Sequence, residues 1–189
     1  MKIILGSQSP YRARMLEEMG IEFEVMAADI DEKAIRSEDP KELVSLLAKA
    51  KAEALLPRIR GEAILITSDE IVMSDGRILE KPSDEEEARR FLENYNTFPA
   101  ETVTAVCVIN LKNGKSASDV DVAKVYFNRF SAEDIDDIIA GGEVYRLSGG
   151  FSVDGEKWEK HIKYIEGARD SVIGLPKDVT RRLLNQVSL

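Results

Sequence analysis

Residues 1–20, MKIILGSQSPYRARMLEEMG, set the architecture of the chain. Ile3-Ile4-Leu5 is a short apolar run and reads as a buried strand. Gly6-Ser7-Gln8 is a turn; Ser9 then suits a helix N-cap and Pro10 the first helical position. Met15, Leu16 and Met19 put an apolar stripe on that helix, and Gly20 ends it. A strand, a Gly/Ser turn and a helix N-terminus aim backbone N–H groups and the positive end of a helix dipole at one point, which is how proteins hold phosphate. Arg12 precedes Met15 and Leu16 by three and four residues, so it lies at the inward edge of the first turn, beside the place an anion would take. The same residues also make an ordinary strand-to-helix turn with Arg12 in an ion pair.

Composition narrows the class. With 189 residues the chain suits one domain, or two small lobes around one cleft. Hydrophobic residues make up 43% and charged residues 32%, the balance of a soluble globular protein. The net charge of −9 argues against a nucleic-acid-binding surface, which is normally basic, but leaves room for a local pocket for a small anion. Cys107, the only cysteine, lies in the apolar run Val103 to Asn110 and reads as a buried structural thiol. No disulfide framework can form. His161, the only histidine, reads as structural; no GxSxG elbow accompanies it. The chain enters a strand at once, with no secretory apolar region and no span of ~20 apolar residues. A cytoplasmic protein without a membrane partner is expected.

Further along, Ile21 to Ala27 alternates and predicts a second strand, followed by a loop carrying Asp29-Ile30-Asp31-Glu32. Pro40 to about Leu56 predicts a helix with Leu43, Leu47, Ala50, Ala54 and Leu55 on one face. Ala63 to Ile66 predicts a buried strand running into Thr67-Ser68-Asp69-Glu70-Ile71-Val72, with a turn at Asp75-Gly76. Ser83 to Tyr95 predicts a helix with a capping box of Ser83 and Glu86. Thr102 to Leu111 and Val120 to Phe127 predict an antiparallel hairpin. Helices are expected at Ala132 to Ala140, closed by Gly141-Gly142, and from Pro176 to about Val187. Mixed βα units and hairpins imply an α/β protein with a central mixed sheet flanked by helices.

Three features carry chemistry. Asp69 ends a continuous apolar strand, where a carboxylate is costly unless paired or used. Such strand ends form the ligand crevice of open α/β sheets. A turn or N-cap aspartate is the plain alternative. Lys51 lies on the apolar side of its helix, with Val44, Leu47, Ala48, Ala54 and Leu55 around it, and there needs an anionic partner. Lys81-Pro82 is held just before a capped helix, although a solvated lysine would look the same. Taken together, the cations Arg12, Lys51 and Lys81, the cradle Ser7 to Ser9 and the carboxylates Glu32 and Asp69 suit a polyphosphate plus a divalent cation. Hard oxygen ligands favour Mg²⁺, which usually takes one or two protein carboxylates.

These residues, in this order, resemble the Maf family of nucleoside triphosphate pyrophosphatases over essentially the full length of the chain. The resemblance rests on Gly6-Ser7-Gln8-Ser9-Pro10-Tyr11-Arg12, which matches the family's opening S-x-S-P-x-R, and on Asp31-Glu32. It continues through Ala48-Lys49-Ala50-Lys51-Ala52, Ser68-Asp69 and Glu80-Lys81-Pro82, and ends with Ile165-Glu166-Gly167 and Val172-Ile173-Gly174-Leu175-Pro176. It implies one Maf/ITPase-like domain over residues 1–189, with two lobes around a deep cleft, commonly as a homodimer. The implied reaction is hydrolysis of a nucleoside triphosphate to the monophosphate and pyrophosphate with a divalent metal, Mg²⁺ or Mn²⁺. By the resemblance Asp69 is the proton acceptor, Glu32 a catalytic acidic residue, and both are associated with the metal; Ser7, Ser9, Arg12, Lys51 and Lys81 bind phosphate.

Departures from the commonest family pattern point to the base. Members acting on thymidine and uridine nucleotides resemble one another in having Arg-Arg after S-P, Asp-Thr at the catalytic strand and Gln in a G-I-Q segment. This chain has Tyr11-Arg12, Asp69-Glu70 and Val153-Asp154 instead, and Leu147-Ser148-Gly149 in place of Lys-Ala-Gly. A cation usual there is missing unless Arg146 substitutes. The aromatic–acidic combination is similar to the family branch that acts on 7-methylguanosine triphosphate. Guanine presents N1–H and N2–H donors that carboxylates accept, and 7-methylguanine adds a positive charge that suits an aromatic face. Uracil and thymine present carbonyls that Glu70 and Asp154 would repel. Tyr11, Glu70 and Asp154 are therefore the expected specificity residues, unless Glu70 points away from the pocket, since adjacent strand residues face opposite sides. The alternatives are a dTTP/UTP pyrophosphatase of the same family and a non-catalytic nucleotide-binding regulator of cell division.

Overall fold

The computed structural model describes residues 1–188. In chain order the elements are β1 (Lys2–Leu5), α1 (Pro10–Glu18), β2 (Glu24–Val25), α2 (Pro40–Leu55), β3 (Ala63–Ser74), β4 (Arg77–Leu79) and α3 (Glu85–Asn94). Then follow β5 (Ala100–Asn110), β6 (Ser116–Phe127), α4 (Ala132–Ala140), α5 (Glu156–Glu159), β7 (Ile162–Glu166), α6 (Arg169–Ile173) and α7 (Lys177–Ser188). Among the described residues seven strands form one mixed sheet in the order β2-β1-β3-β5-β6-β7, with β4 folded back on β3. The chain is α/β, as expected. No helix among the described residues is long and apolar enough to cross a membrane.

β1 runs parallel to both β2 and β3, with Ile4 opposite Leu65 and Leu5 opposite Ile66. Parallel neighbours need helical crossovers, and α1 and α2 supply them. Both open on the expected chemistry. Ser9 accepts the Arg12 amide at 3.4 Å ahead of Pro10, and Asp39 accepts the Lys41 amide at 2.8 Å ahead of Pro40. β5 runs back along β3: the Leu111 amide donates to Ala63 at one end, and the Ser74 hydroxyl donates to Pro99 at the other. Asp75 and Gly76, both at positive φ (49° and 70°), make the two-residue turn from β3 to β4.

The contacts divide the chain into two compact units. The first comprises Met1–Glu70, Thr104–Asp121 and the segment from Ile173 onward; the second comprises Ile71–Val103 and Val122–Val172. The first is built around Leu5, Met15, Leu16, Ile64, Ile66, Val106, Val108, Leu175, Leu183 and Val187. Each such buried side chain stabilises by roughly 1.5–3 kcal/mol. The second has an aromatic centre: Tyr95 packs 5.2 Å from Phe127 and 5.6 Å from Phe151, centroid to centroid. Cys107 and His161 are both buried, as expected of structural residues, and burial raises the pKa of the thiol and lowers that of the imidazole.

Several boundaries differ from the sequence expectation for local reasons. The strand expected over residues 21–27 shrinks to Glu24–Val25, because the Ile21 amide turns back to Leu16 and, with Gly20 at φ 72°, closes α1. The cap of α3 moves one residue on. Asp84, not Ser83, accepts the Glu87 amide at 2.8 Å, and the Glu87 carboxylate reaches back to the amide and hydroxyl of Ser83, both at 2.8 Å. The hairpin strands run longer than expected, and Pro176 stands just ahead of α7, its carbonyl accepting the Thr180 amide. The edge strand β7 carries no alternating apolar pattern to reveal it.

Candidate active site

In the first unit the turn after β1 is shaped by what cannot fit there. The Gly6 amide extends the parallel ladder to the Ile66 carbonyl at 2.7 Å. A Cβ on Gly6 would stand 2.6 Å from Thr67 Cγ2 and 2.7 Å from Leu55 Cδ1. Beyond it the amides are not bare. Ser9 N–H donates to Ser7 Oγ at 3.2 Å, and Arg12 N–H donates to Ser9 Oγ at 3.4 Å. The expected cradle is therefore lined by two serine hydroxyls that already satisfy the turn.

Arg12 points into the fold rather than to solvent. Its Nε donates to the Gly174 carbonyl at 3.0 Å and its Nη1 to the Ser68 carbonyl at 2.8 Å and Ser7 Oγ at 3.4 Å. The Ser68 hydroxyl donates to the same Gly174 carbonyl at 3.0 Å. Gly174 adopts φ 101°, and a Cβ there would stand 3.1 Å from Glu70 Oε2 and 3.4 Å from Arg12 Nε. Three segments far apart in sequence thus close on one guanidinium.

Asp69 does not end its strand as the sequence suggests: β3 continues to Ser74, because residues 72–74 stay in the ladder with β4, which folds back on it. The middle of β3 sorts its side chains by strand alternation. Thr67 and Asp69 face α2: the Thr67 hydroxyl donates to the Ala48 carbonyl at 2.7 Å, and Asp69 meets the Lys51 ammonium. Ser68 and Glu70 face the opposite way, toward Gly174 and Thr104; the Thr104 hydroxyl donates to Glu70 at 3.3 Å. Burial raises the Asp69 pKa, against the pull of the Lys51 and Arg12 charges. Burial raises that of Glu70 to about 7, against Arg12 and the Thr104 bond. Glu32, on a short 3₁₀ turn (Glu32–Ala34), reaches the same Lys51 ammonium at 2.9 Å.

The structure therefore brings Glu32, Lys51 and Asp69 together on one side of β3, and Ser7, Arg12 and Glu70 around Gly174 on the other. Tyr11 is half-buried on α1, with the Arg14 guanidinium carbon 6.0 Å from its ring centroid. Lys81 and Asp154 belong to the second unit. There the exposed Lys81 sits between Glu80, whose carbonyl accepts the Gly149 amide at 3.0 Å, and buried Pro82, which packs against Gly150. The sequence motifs Glu80-Lys81-Pro82 and Leu147-Ser148-Gly149 are thus one structural feature. Asp154 is half-buried, and its amide donates to Ser152 Oγ at 3.0 Å.

Ser68 and Gly174 carry no expected role in the sequence, although both lie in recognisable motifs. Their signal was the short polar residue beside Asp69 and the glycine before Leu175-Pro176. Among the described residues no group of three or more His, Cys, Asp or Glu is placed to hold a metal ion. The pair Glu32 and Asp69 nevertheless fits a hard cation. Its two carboxylates already share one positive charge, and phosphate oxygens and water complete such sites.

A family model described as Maf-like protein matches residues 2–187. The chain is 41% identical over 193 aligned positions to a 7-methyl-GTP pyrophosphatase of Dictyostelium discoideum, covering 98% of this chain and 97% of that one. It is 37% identical over 174 positions to a dTTP/UTP pyrophosphatase of Geotalea uraniireducens (strain Rf4), covering 92% and 89%. It is 35% identical over 185 positions to a nucleoside triphosphate pyrophosphatase of a Synechococcus strain, JA-2-3B'a(2-13), covering 98% and 93%.

Proposed function

The chain belongs to the Maf-like protein family, and on that premise we propose that it hydrolyses a nucleoside triphosphate to the monophosphate and pyrophosphate, with 7-methyl-GTP favoured. The observation that carries the chemistry is Asp69: a buried carboxylate within β3 that meets Lys51, which Glu32 also contacts. Water attacks the α-phosphorus in line with the bridging oxygen to the β-phosphorus. The new phosphorus–oxygen bond forms as the bond to pyrophosphate breaks, and the water proton passes to Asp69. Charge grows on the departing pyrophosphate, where Arg12 and Lys51 stabilise it and Ser7 and Ser9 donate hydrogen bonds; the family likeness assigns Lys81 to phosphate as well. Glu32 and Asp69 would hold Mg²⁺ or Mn²⁺, which neutralises triphosphate charge when bound. Burial makes Asp69 a stronger base than an exposed aspartate, the direction a proton acceptor needs.

Base preference is assigned to Tyr11, Glu70 and Asp154. Tyr11 directly precedes Arg12, and Glu70 lies on the Arg12 side of β3. An aromatic residue and carboxylates at these positions, as the family likeness assigns them, suit a positively charged purine better than a pyrimidine. By the family likeness the working protein is a cytoplasmic homodimer that needs no nucleic acid. Pyrophosphate release measured with Mg²⁺ or Mn²⁺ over a nucleotide panel tests the reading. The expected order is 7-methyl-GTP first, other guanine nucleotides next, dTTP and UTP last. Faster turnover of dTTP or UTP would transfer the assignment to the pyrimidine alternative, which the 37% identical relative supports. No release from any nucleotide would leave a binding regulator.

A further inference from the structure

Two carboxylates from distant parts of the chain meet on a single ammonium. Glu32 Oε1 lies 2.9 Å from Lys51 Nζ, and Asp69 Oδ1 contacts the same nitrogen. Side-chain exposure is 12% for Lys51 and 8% for Asp69, but 56% for Glu32. The pair is therefore a cation pocket with one buried wall and one wall open to solvent, and the cation in it is part of the protein.

We propose that Lys51 holds the divalent-cation position between Glu32 and Asp69 in the unliganded protein and leaves it when a metal–triphosphate enters, its ammonium passing to a phosphate oxygen. The proposal rests on the assignment of these carboxylates to the metal and of triphosphate to the site. A divalent cation held between these carboxylates would repel the Lys51 ammonium, most strongly on the buried Asp69 side. With no cation at all, the two carboxylates would repel each other, so the ammonium keeps them gathered. The Lys51 side chain is only 12% exposed, so its stem is packed, and rotation about its outer bonds moves the ammonium while the stem stays in place. Phosphate oxygens offer the three ammonium protons new acceptors.

The exchange couples two ligands. Metal without nucleotide must expel Lys51 with nothing to receive it. Metal with nucleotide expels it onto phosphate. Each ligand then strengthens the other, by the same factor in both directions. The site resists free metal and accepts the metal–nucleotide complex.

Mn²⁺ titrated into nucleotide-free protein, read by electron paramagnetic resonance, tests this without turnover. Lys51→Met keeps the stem and removes the charge. A competitor present in the position about 90% of the time lowers apparent affinity about tenfold, so Lys51→Met should bind Mn²⁺ about tenfold more tightly than wild type. Adding Glu32→Gln should abolish the gain, which locates the ion at the pair. Equal affinity in wild type and Lys51→Met, binding detectable in neither, or a gain that survives Glu32→Gln would overturn the proposal. Should Lys51→Met fail to fold, wild-type protein labelled with ¹⁵N-lysine gives a second reading. The Lys51 Nζ resonance, assigned by its loss in Lys51→Arg, should move on addition of Mg²⁺ with a non-hydrolysable nucleotide. A resonance unmoved by the bound complex overturns the proposal. An inactive protein can pass these tests and an active one can fail them, so they stand apart from the assay for pyrophosphate release.

Discussion

Asp69 and Glu70 are adjacent in the chain and opposite in surroundings. Asp69 faces Lys51 and Glu32; Glu70 faces Thr104, Gly174 and the charge of Arg12. Their alternation on β3 gives each its own test. Asp69→Asn keeps the size of the side chain and removes the carboxylate proposed as proton acceptor. Its kcat for pyrophosphate release should fall by roughly 10²–10⁴-fold, with the circular dichroism spectrum of the wild type. Glu70 tests a pH dependence of folding. Its pKa is about 7 in the folded protein against 4.5 ordinarily, so between those values the native state holds a proton that the unfolded chain has released. The stability this contributes is complete below pH 4.5 and is lost as pH rises to about 7. Glu70→Gln should flatten the fall in melting temperature across that interval; an unchanged slope would place the titration elsewhere.

The turn from β1 to α1 and the segment before α7 are where backbone shape controls the site. Gly6 lies against Thr67 and Leu55 at distances no Cβ tolerates. Gly6→Ala should therefore cost about 1–3 kcal/mol through overpacking, read as a lowered denaturation midpoint with unchanged m-value. Gly174 is a different case. Its φ of 101° disfavours any side chain, and its carbonyl holds both Arg12 Nε and the Ser68 hydroxyl. Gly174→Ala should raise KM for nucleotide more than it lowers kcat, because it displaces Arg12, which we assign to phosphate, before it touches Asp69, which we assign to the proton. A kcat loss with unchanged KM would contradict that role for Arg12. The helix start at Ser9-Pro10 was legible in sequence because capping is local. The α3 cap was misplaced by one residue because Ser83 and Asp84 are both competent caps, and the choice between them depends on where Glu87 reaches.

For the whole protein, a ligand that binds only the folded state raises stability by an amount set by its concentration over its Kd. This amounts to about 2.7 kcal/mol at a hundredfold excess over Kd. With Mg²⁺ present, a non-hydrolysable analogue of 7-methyl-GTP should raise the melting temperature more than the dTTP analogue at equal concentration. The reverse order would assign the site to pyrimidines independently of turnover. Arg12, Lys51 and Asp69 lie in the first unit, with its aliphatic core, and Lys81 and Asp154 in the second, with its aromatic one.

Local physics was enough to read the α/β class, the β1-turn-α1 unit, the long buried strand that carries Asp69, though not where it ends, and Lys51 on an inward helix face. Periodicity, capping and burial cost act over a few residues and leave their marks in the sequence. Which groups meet was not readable there. The Gly174 carbonyl reaches Arg12 across 162 positions, and Lys51 joins Glu32 to Asp69 from three separate elements. Those contacts follow from strand order and from the side of β3 each residue faces, and strand order is a property of the folded sheet alone.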